Sequence, residues 1–201
     1  MSTTAKIFID GEAGTTGLEI RDRLAHVPWI ETVRIAADER KDPAARKAAM
    51  AESDLTVLCL PDDAAKEAVA LAASLGAKAP KIVDASTAHR VAAGWVYGFP
   101  ELDAGQAGTI AAATRVANPG CYPTGAIALI RPLVDAGYVP RDYPVTVNAV
   151  SGYSGGGKSM IESYEVSKTA PLFELYGLGL EHKHVPELMA YTGLTRPPLF
   201  V

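Results

Sequence analysis

AKIFIDGEAGTTG, residues 5–17, decides how the chain is read. The apolar run AKIFID stops at Gly11 and reads as a buried strand followed by a glycine-punctuated turn. Glycines 11, 14 and 17 give the spacing G-x-x-G-x-x-G. From Gly17 the pattern turns helical, with Ile20, Leu24 and Val27 on one face, until Pro28 ends it. Strand, glycine turn and helix in that order are a relative of the dinucleotide fingerprint. Gly11 permits the tight turn, Gly14 lets the backbone approach a pyrophosphate, and Gly17 lets helix and sheet close up. Thr15 and Thr16 stand beside them, where the helix N-terminus faces the phosphates. A plain strand-to-helix turn also uses glycines. The dinucleotide reading is preferred because the turn opens an alternating β/α region.

Outward from that turn, TVRIAA reads as a strand and PAARKAAMAE as a helix with Pro43 in its first turn. LTVLCLP is an apolar strand closed by Pro61. Asp62 is placed to cap the next helix, DAAKEAVALAASLG, which ends at Gly76. KIVDAS is another strand, and TIAAATRVA is strand-like by position. Apolar strands alternating with helices predict an α/β fold, a doubly wound Rossmann-type parallel sheet over residues 1–120. The boundary falls near 118–122, where NPGCYP concentrates turn residues. Residues 121–201 read as an α+β substrate and dimerisation domain, with a helix, PTGAIALIRPLVDAG, bent or interrupted at Pro132, and a strand, PVTVNAV. The terminal PPLFV is apolar, so further strands are expected beyond Val201.

Composition narrows the function. The residues are 48% hydrophobic and 21% charged, ordinary for a soluble globular chain. A net charge of -4, with no basic run, gives no footprint for nucleic acid or an anionic membrane. No signal region and no long apolar run is present, and two cysteines 62 positions apart form neither a disulfide framework nor a metal cluster. A cytoplasmic protein with reduced thiols is expected.

Several residues carry candidate chemistry. ADERKD, after the second strand, offers Asp38 for a ribose hydroxyl but also Arg40 and Lys41 for a 2′-phosphate, which favours NADP over NAD. Cys121, in NPGCYPTG, follows a Pro-Gly turn at a helix N-terminus, where the field favours a thiolate nucleophile. Cys59, inside VLCLP, reads as an inert packing thiol. HKHVPE places His182 and His184 on a loop before a helix opened by Pro186. Lacking a third ligand nearby, they read as general base and acid toward Cys121 rather than as metal ligands. His26 and His89 have less promising settings. GYSGGGKS, residues 152–159, matches the phosphate-loop pattern G-x-x-x-x-G-K-[ST], yet no apolar strand closing on Asp follows it. It reads as a mimic whose glycine amides and Lys158 hold substrate.

GxxGxxG, VDASTAHR (83–90), WVYGFPEL (95–102), NPGCYPTG (118–125), SGYSGGGK (151–158) and HKHVPE (182–187) occur together and in order. The set resembles the N-acetyl-γ-glutamyl-phosphate reductases, in their shorter subtype, within the semialdehyde dehydrogenase superfamily. The resemblance covers essentially the whole chain. It implies an enzyme of arginine biosynthesis that uses NADPH to reduce an acyl phosphate to a semialdehyde through a thioester on Cys121. A histidine of the His182/His184 pair, with His184 favoured, would move the proton. Ser86 joins the cofactor set by this resemblance. Arg90, Asn118, Ser154, Gly155, Lys158 and Glu187 join the substrate set, with Glu187 also placed to orient a histidine. A homo-oligomer is implied. STAHR departs from the family's usual acidic-aromatic segment, which bears on Arg90, and family members run well beyond 201 residues. Two alternatives stay open: a sister enzyme acting on aspartyl phosphate, and a nucleotide-binding module without catalysis.

Overall fold

The computed structural model describes residues 4–201. It divides into two compact units: the first runs to Gly98 and takes in Gly108–Asn118, and the second holds Phe99–Ala107 and Pro119–Val201.

The first unit is a six-stranded, all-parallel sheet in the order β2-β1-β3-β4-β6-β5. Its strands are β1 (Ala5–Asp10), β2 (Ile30–Val33), β3 (Leu55–Leu58), β4 (Lys81–Asp84), β5 (Val96–Tyr97) and β6 (Arg115–Ala117). The helices between them are α1 (Thr15–Leu24), α2 (Pro43–Glu52), α3 (Asp62–Ala73) and α4 (Gln106–Ala112). Alternation along β1 shows why both faces are covered. Ile7 and Ile9 join Val57 in packing against Ile20 and Leu24 of α1. Phe8 points the other way, into a core with Met50 of α2 and the alanines Ala65, Ala68 and Ala72 of α3. Those alanines let α3 lie close on the sheet. Truncating Leu58, fully buried in that core, would cost about 2–5 kcal/mol.

Several boundaries differ from the expectations. Helix α1 begins at Thr15 rather than Gly17, because Gly14 adopts the extended cap conformation (φ -76°, ψ 164°). It stops at Leu24, well before Pro28, where tighter turns (Val27 N–H to Leu24 C=O, 3.0 Å) feed Ile30 into register opposite Ala5. Strand β2 ends at Val33, so TVRIAA is strand only at its start. Asp62 lies inside α3, not at its cap: Pro61 holds that place, and the Asp62 carboxylate accepts the Thr87 N–H (2.9 Å) and hydroxyl. Helix α3 ends at Ala73, and Gly76 (φ +58°) sits in a following turn. TIAAATRVA is half helix, because its alanine run follows helix propensity and completes α4, leaving only Arg115–Ala117 as strand. The cap of α2, by contrast, is Asp42, whose carboxylate accepts the N–H groups of Ala44 and Ala45.

In the second unit α5 (Cys121–Asp135) runs unbroken through Pro132. The proline forfeits one N–H bond, but its own carbonyl still receives the Ala136 N–H at 3.0 Å. A two-stranded parallel pair joins β7 (Thr146–Val147) to β8 (Leu199–Phe200), so only two residues of PVTVNAV are strand. Between them lies α6 (Lys158–Ile161), one turn long, continued by a wider turn over Glu162–Val166. Helix α7 (Val185–Tyr191) packs on α5.

Candidate functional site

The nucleotide end of the first unit is built around Gly11. Its φ of +90° belongs to the region glycine alone enters freely, and a Cβ there would stand 2.3 Å from the Cys59 carbonyl oxygen. A Cβ on Gly17 would stand 2.6 Å from both the Gly11 carbonyl oxygen and the Glu12 Cα. Gly14 is less crowded, its N–H closing the turn on the Gly11 C=O at 3.0 Å. The turn lies at the carboxyl end of β1, where the sheet order reverses between β2 and β3, the position at which open α/β sheets bind ligands. With Thr15 and Thr16 opening a ten-residue helix behind it, this cradle fits a dinucleotide pyrophosphate.

Charge around the cradle is organised more tightly than the sequence discloses. Asp10, 3% exposed at the end of β1, receives Arg46 of α2 at 2.7 Å. Arg40 reaches across from the turn after β2 to Glu12, at 3.2 Å. Asp38 lies five positions beyond the end of β2 at Val33 and is exposed, so it does not stand at the strand end as the ribose acid does in the fingerprint. Lys41 is exposed beside Arg40. Cys59 follows β3 rather than lying within it, and burial, with the charges of Asp10 and Asp84, raises its thiol pKa to about 11.

A second buried carboxylate ends β4. Asp84, wholly buried, accepts the Ser86 N–H (2.9 Å) and hydroxyl (2.7 Å) and meets His89 Nδ1 at 2.6 Å. His89 in turn stacks on Trp95 with ring centroids 4.2 Å apart. This histidine, set aside in the sequence, ties the VDASTAHR segment to the start of WVYGFPEL. The pattern was readable: FID and IVD each end an apolar strand on an aspartate. Two side chains of the expected site make contacts within the protein here. Ser86 directs its hydroxyl to Asp84. Arg90 is buried (8% exposed) and donates to the carbonyls of Asn118 and Ala85. The guanidinium anchors the strand end that leads to Asn118, itself exposed.

In the second unit Cys121 is the first residue of α5 and is exposed. The preceding Gly120 is its cap, and the Gly120 N–H donates to Glu187 Oε1 at 2.7 Å. Glu187, 2% exposed on α7, thus reaches the cysteine turn from within the second unit. Tyr122 carries the histidines: its ring lies 6.1 Å from that of His182 and 5.7 Å from that of His184. The two imidazoles are themselves 4.6 Å apart, and Phe200 packs against both. His184 caps α7 and is 4% exposed, whereas His182 is more open. His182 Nδ1 accepts the His184 N–H at 3.2 Å, and desolvation, then the charge of Lys183, lowers its pKa from 6.5. The Tyr176 hydroxyl donates to the Tyr122 hydroxyl, a contact that no spacing in the sequence signals.

Ser154 and Gly155 lie in a tight turn, and Lys158 opens the single-turn α6; all three are exposed. The only strand hydrogen-bonded to β7 among the described residues is β8, which ends without an acid, so the phosphate-loop letters occur without the fold that uses them. Among the described residues no cluster of three His, Cys, Asp or Glu is gathered as metal ligands would be, and no helix is long and apolar enough to cross a membrane.

Residues 6–110 match the NAD binding domain of the semialdehyde dehydrogenases, and residues 121–199 match their dimerisation domain. The chain is 58% identical over 197 residues to N-acetyl-gamma-glutamyl-phosphate reductase of Chelativorans sp. (strain BNC1), covering 98% of this chain and 63% of that protein. It is 55% identical to the protein of that name from Mesorhizobium japonicum, covering 96% and 62%. N-acetyl-gamma-glutamyl-phosphate reductase 2 of Pseudomonas putida is 52% identical, with 98% and 63% covered. The chain thus spans less than two thirds of the length of these relatives. Aspartate semialdehyde dehydrogenase II of Vibrio cholerae shares the fold at 15% identity, with a TM-score of 0.63 over 100% of this chain and 68% of that one. The enzyme from Francisella tularensis does so at 12% identity and a TM-score of 0.61, covering 98% and 70%. By its matched domains, and by the glycine cradle and cysteine turn that lie within them, this chain belongs to the semialdehyde dehydrogenase family.

Proposed function

We propose that the protein reduces N-acetyl-γ-glutamyl phosphate to N-acetylglutamate semialdehyde and phosphate, with NADPH as reductant, in the cytoplasm and as a homo-oligomer. The observation that carries this reading is the construction of the cysteine turn: an exposed thiol at the start of a 15-residue helix, with its cap amide held by a buried carboxylate and two imidazoles packed on the next side chain. Such a turn presents a nucleophile where the helix N-terminus favours the negative charge that develops. The names carried by the relatives support the substrate, and the matched dimerisation domain supports association.

Cys121 Sγ attacks the acyl carbonyl and phosphate leaves with its bonding pair, giving a thioester. A nicotinamide cofactor held at the glycine cradle would supply the hydride that reduces that carbonyl. The His182/His184 pair takes the thiol proton in the first step and returns a proton as the product forms, and the thiohemiacetal releases the aldehyde and restores Cys121. His182, as the open member, exchanges the proton with solvent. Gly11, Gly14, Gly17, Thr15 and Thr16 would hold the pyrophosphate, and Arg40 with Lys41 the 2′-phosphate. Lys158, Ser154 and Gly155 would meet the anionic substrate from the second glycine loop.

The test runs the reaction backward: purified protein with N-acetylglutamate semialdehyde, phosphate and NADP, followed by absorbance of the reduced cofactor. Turnover is expected, with a loss of about 10³-fold or more in Cys121→Ala at unchanged folding. Turnover with aspartate semialdehyde alone would move the assignment to the sister chemistry, and cofactor binding without turnover would leave a binding module.

A further inference from the structure

The second residue of the glycine turn is an acid. Glu12 stands between Gly11 and Gly14, and its backbone lies against Gly17 at the start of α1. A carboxylate on this turn sets a negative charge beside the place where an anion would be received. The structure supplies a counter-charge from the other side of the strand ends: Arg40 Nη2 meets Glu12 Oε1 at 3.2 Å, with the Glu12 side chain 14% exposed and the Arg40 side chain 40% exposed. Arg40 hangs on a turn over residues 36–42, closed by the Glu39 N–H on Ala36 C=O and the Asp42 N–H on Glu39 C=O. It is the same cation that the adenosine-end reading assigns to a 2′-phosphate.

We propose that Glu12 and Arg40 form an exchange pair that sets selectivity at the adenosine end of the dinucleotide site. Glu12 is the resident acceptor for Arg40, and a 2′-phosphate is the competing one. A ligand carrying that phosphate draws Arg40 onto a denser negative charge. A ligand with only a 2′-hydroxyl brings nothing to displace Glu12, so Arg40 stays on the carboxylate. Guanidinium geometry permits this, because one edge can leave a carboxylate for a phosphate while the other donors remain available. The carboxylate thereby weakens binding of the 2′-phosphate ligand while keeping Arg40 neutralised in its absence. This inference rests on the dinucleotide reading of the first unit and adds to it a residue, Glu12, that the fingerprint does not include.

Binding rather than turnover tests it, by calorimetric titration of the intact protein with adenosine 2′,5′-bisphosphate and with 5′-AMP. The quantity read is the dissociation constant of 5′-AMP divided by that of the bisphosphate. In Glu12→Gln the bisphosphate should bind more tightly, by up to about fivefold, the scale of releasing one partly exposed ion pair, with AMP changing less. In Arg40→Gln the ratio should fall by about tenfold or more, as a charge-assisted contact to the phosphate is lost. In the double variant the effect of Glu12→Gln on the ratio should vanish. Glu12→Asp, which keeps the charge and shortens the reach, should move the ratio as Glu12→Gln does but by less. An unchanged or lowered ratio in Glu12→Gln, or an equal gain with and without Arg40, overturns the exchange pair and leaves the dinucleotide site standing. A folded wild type that binds neither probe overturns both.

Discussion

Two stretches of this molecule carry the same letters for different reasons. Residues 11–17 and 152–157 are both glycine-rich turns leading from a strand into a helix. In the first, backbone forbids anything larger: a Cβ at 11 would meet the Cys59 carbonyl and one at 17 the Gly11 carbonyl. In the second, the crowding at Gly155 and Gly156 comes from side chains, Ser151 Oγ and Met160, and at Gly157 (φ +76°) nothing lies within 4 Å. The first turn lies against the backbone that follows β3; the second is exposed and followed by a single helical turn. A motif is therefore informative in proportion to the backbone packed around it.

The sharpest way to break the comparison is to add one methyl group in each turn. Gly11→Ala and Gly17→Ala should each cost about 3 kcal/mol or more in denaturant unfolding, since a rigid carbonyl must move. Gly157→Ala should cost about 1–2 kcal/mol, from backbone conformation alone. Equal losses in the two turns would erase the distinction. Next comes thiol reactivity, which contrasts the two units that carry these turns. Cys121, exposed, should react with iodoacetamide in native protein at least about tenfold faster than Cys59, whose half-buried thiol titrates near 11. Comparable rates would remove the chemical difference between them.

The smallest effect concerns His182. Its pKa is lowered in the folded chain, so between that value and the unfolded 6.5 the unfolded state binds more protons. Stability should then be complete above 6.5 and decline as pH falls through that window. His182→Gln should flatten the decline, measured as thermal midpoint between pH 7.5 and 5. An unaltered slope would detach the histidine from it.

Legibility followed the range of the interactions. The parallel sheet, its order of elements, the helix at Pro43 and the cysteine turn before α5 were all readable, because each depends on local periodicity, capping or turn chemistry. Boundaries were less so: residues 109–112 could not be told from strand by apolarity, and β2 ends where pairing with β1 ends, at Val33. The candidate site was read as a set of residue types at set places. What each side chain touches was not readable. Arg90 turned inward to two carbonyls, His89 clasped a buried aspartate, and Glu187 crossed from α7 to the Gly120 amide, 67 positions away.

By itself the sequence determined the fold class, the glycine cradle and the candidate nucleophile, since steric freedom at glycine and the charge preference of a helix start are properties of a few adjacent residues. Tertiary structure alone decided which polar groups face outward as reagents and which are buried as ties. That choice is made where distant segments meet, because a charge removed from water must find its partner wherever the chain brings one.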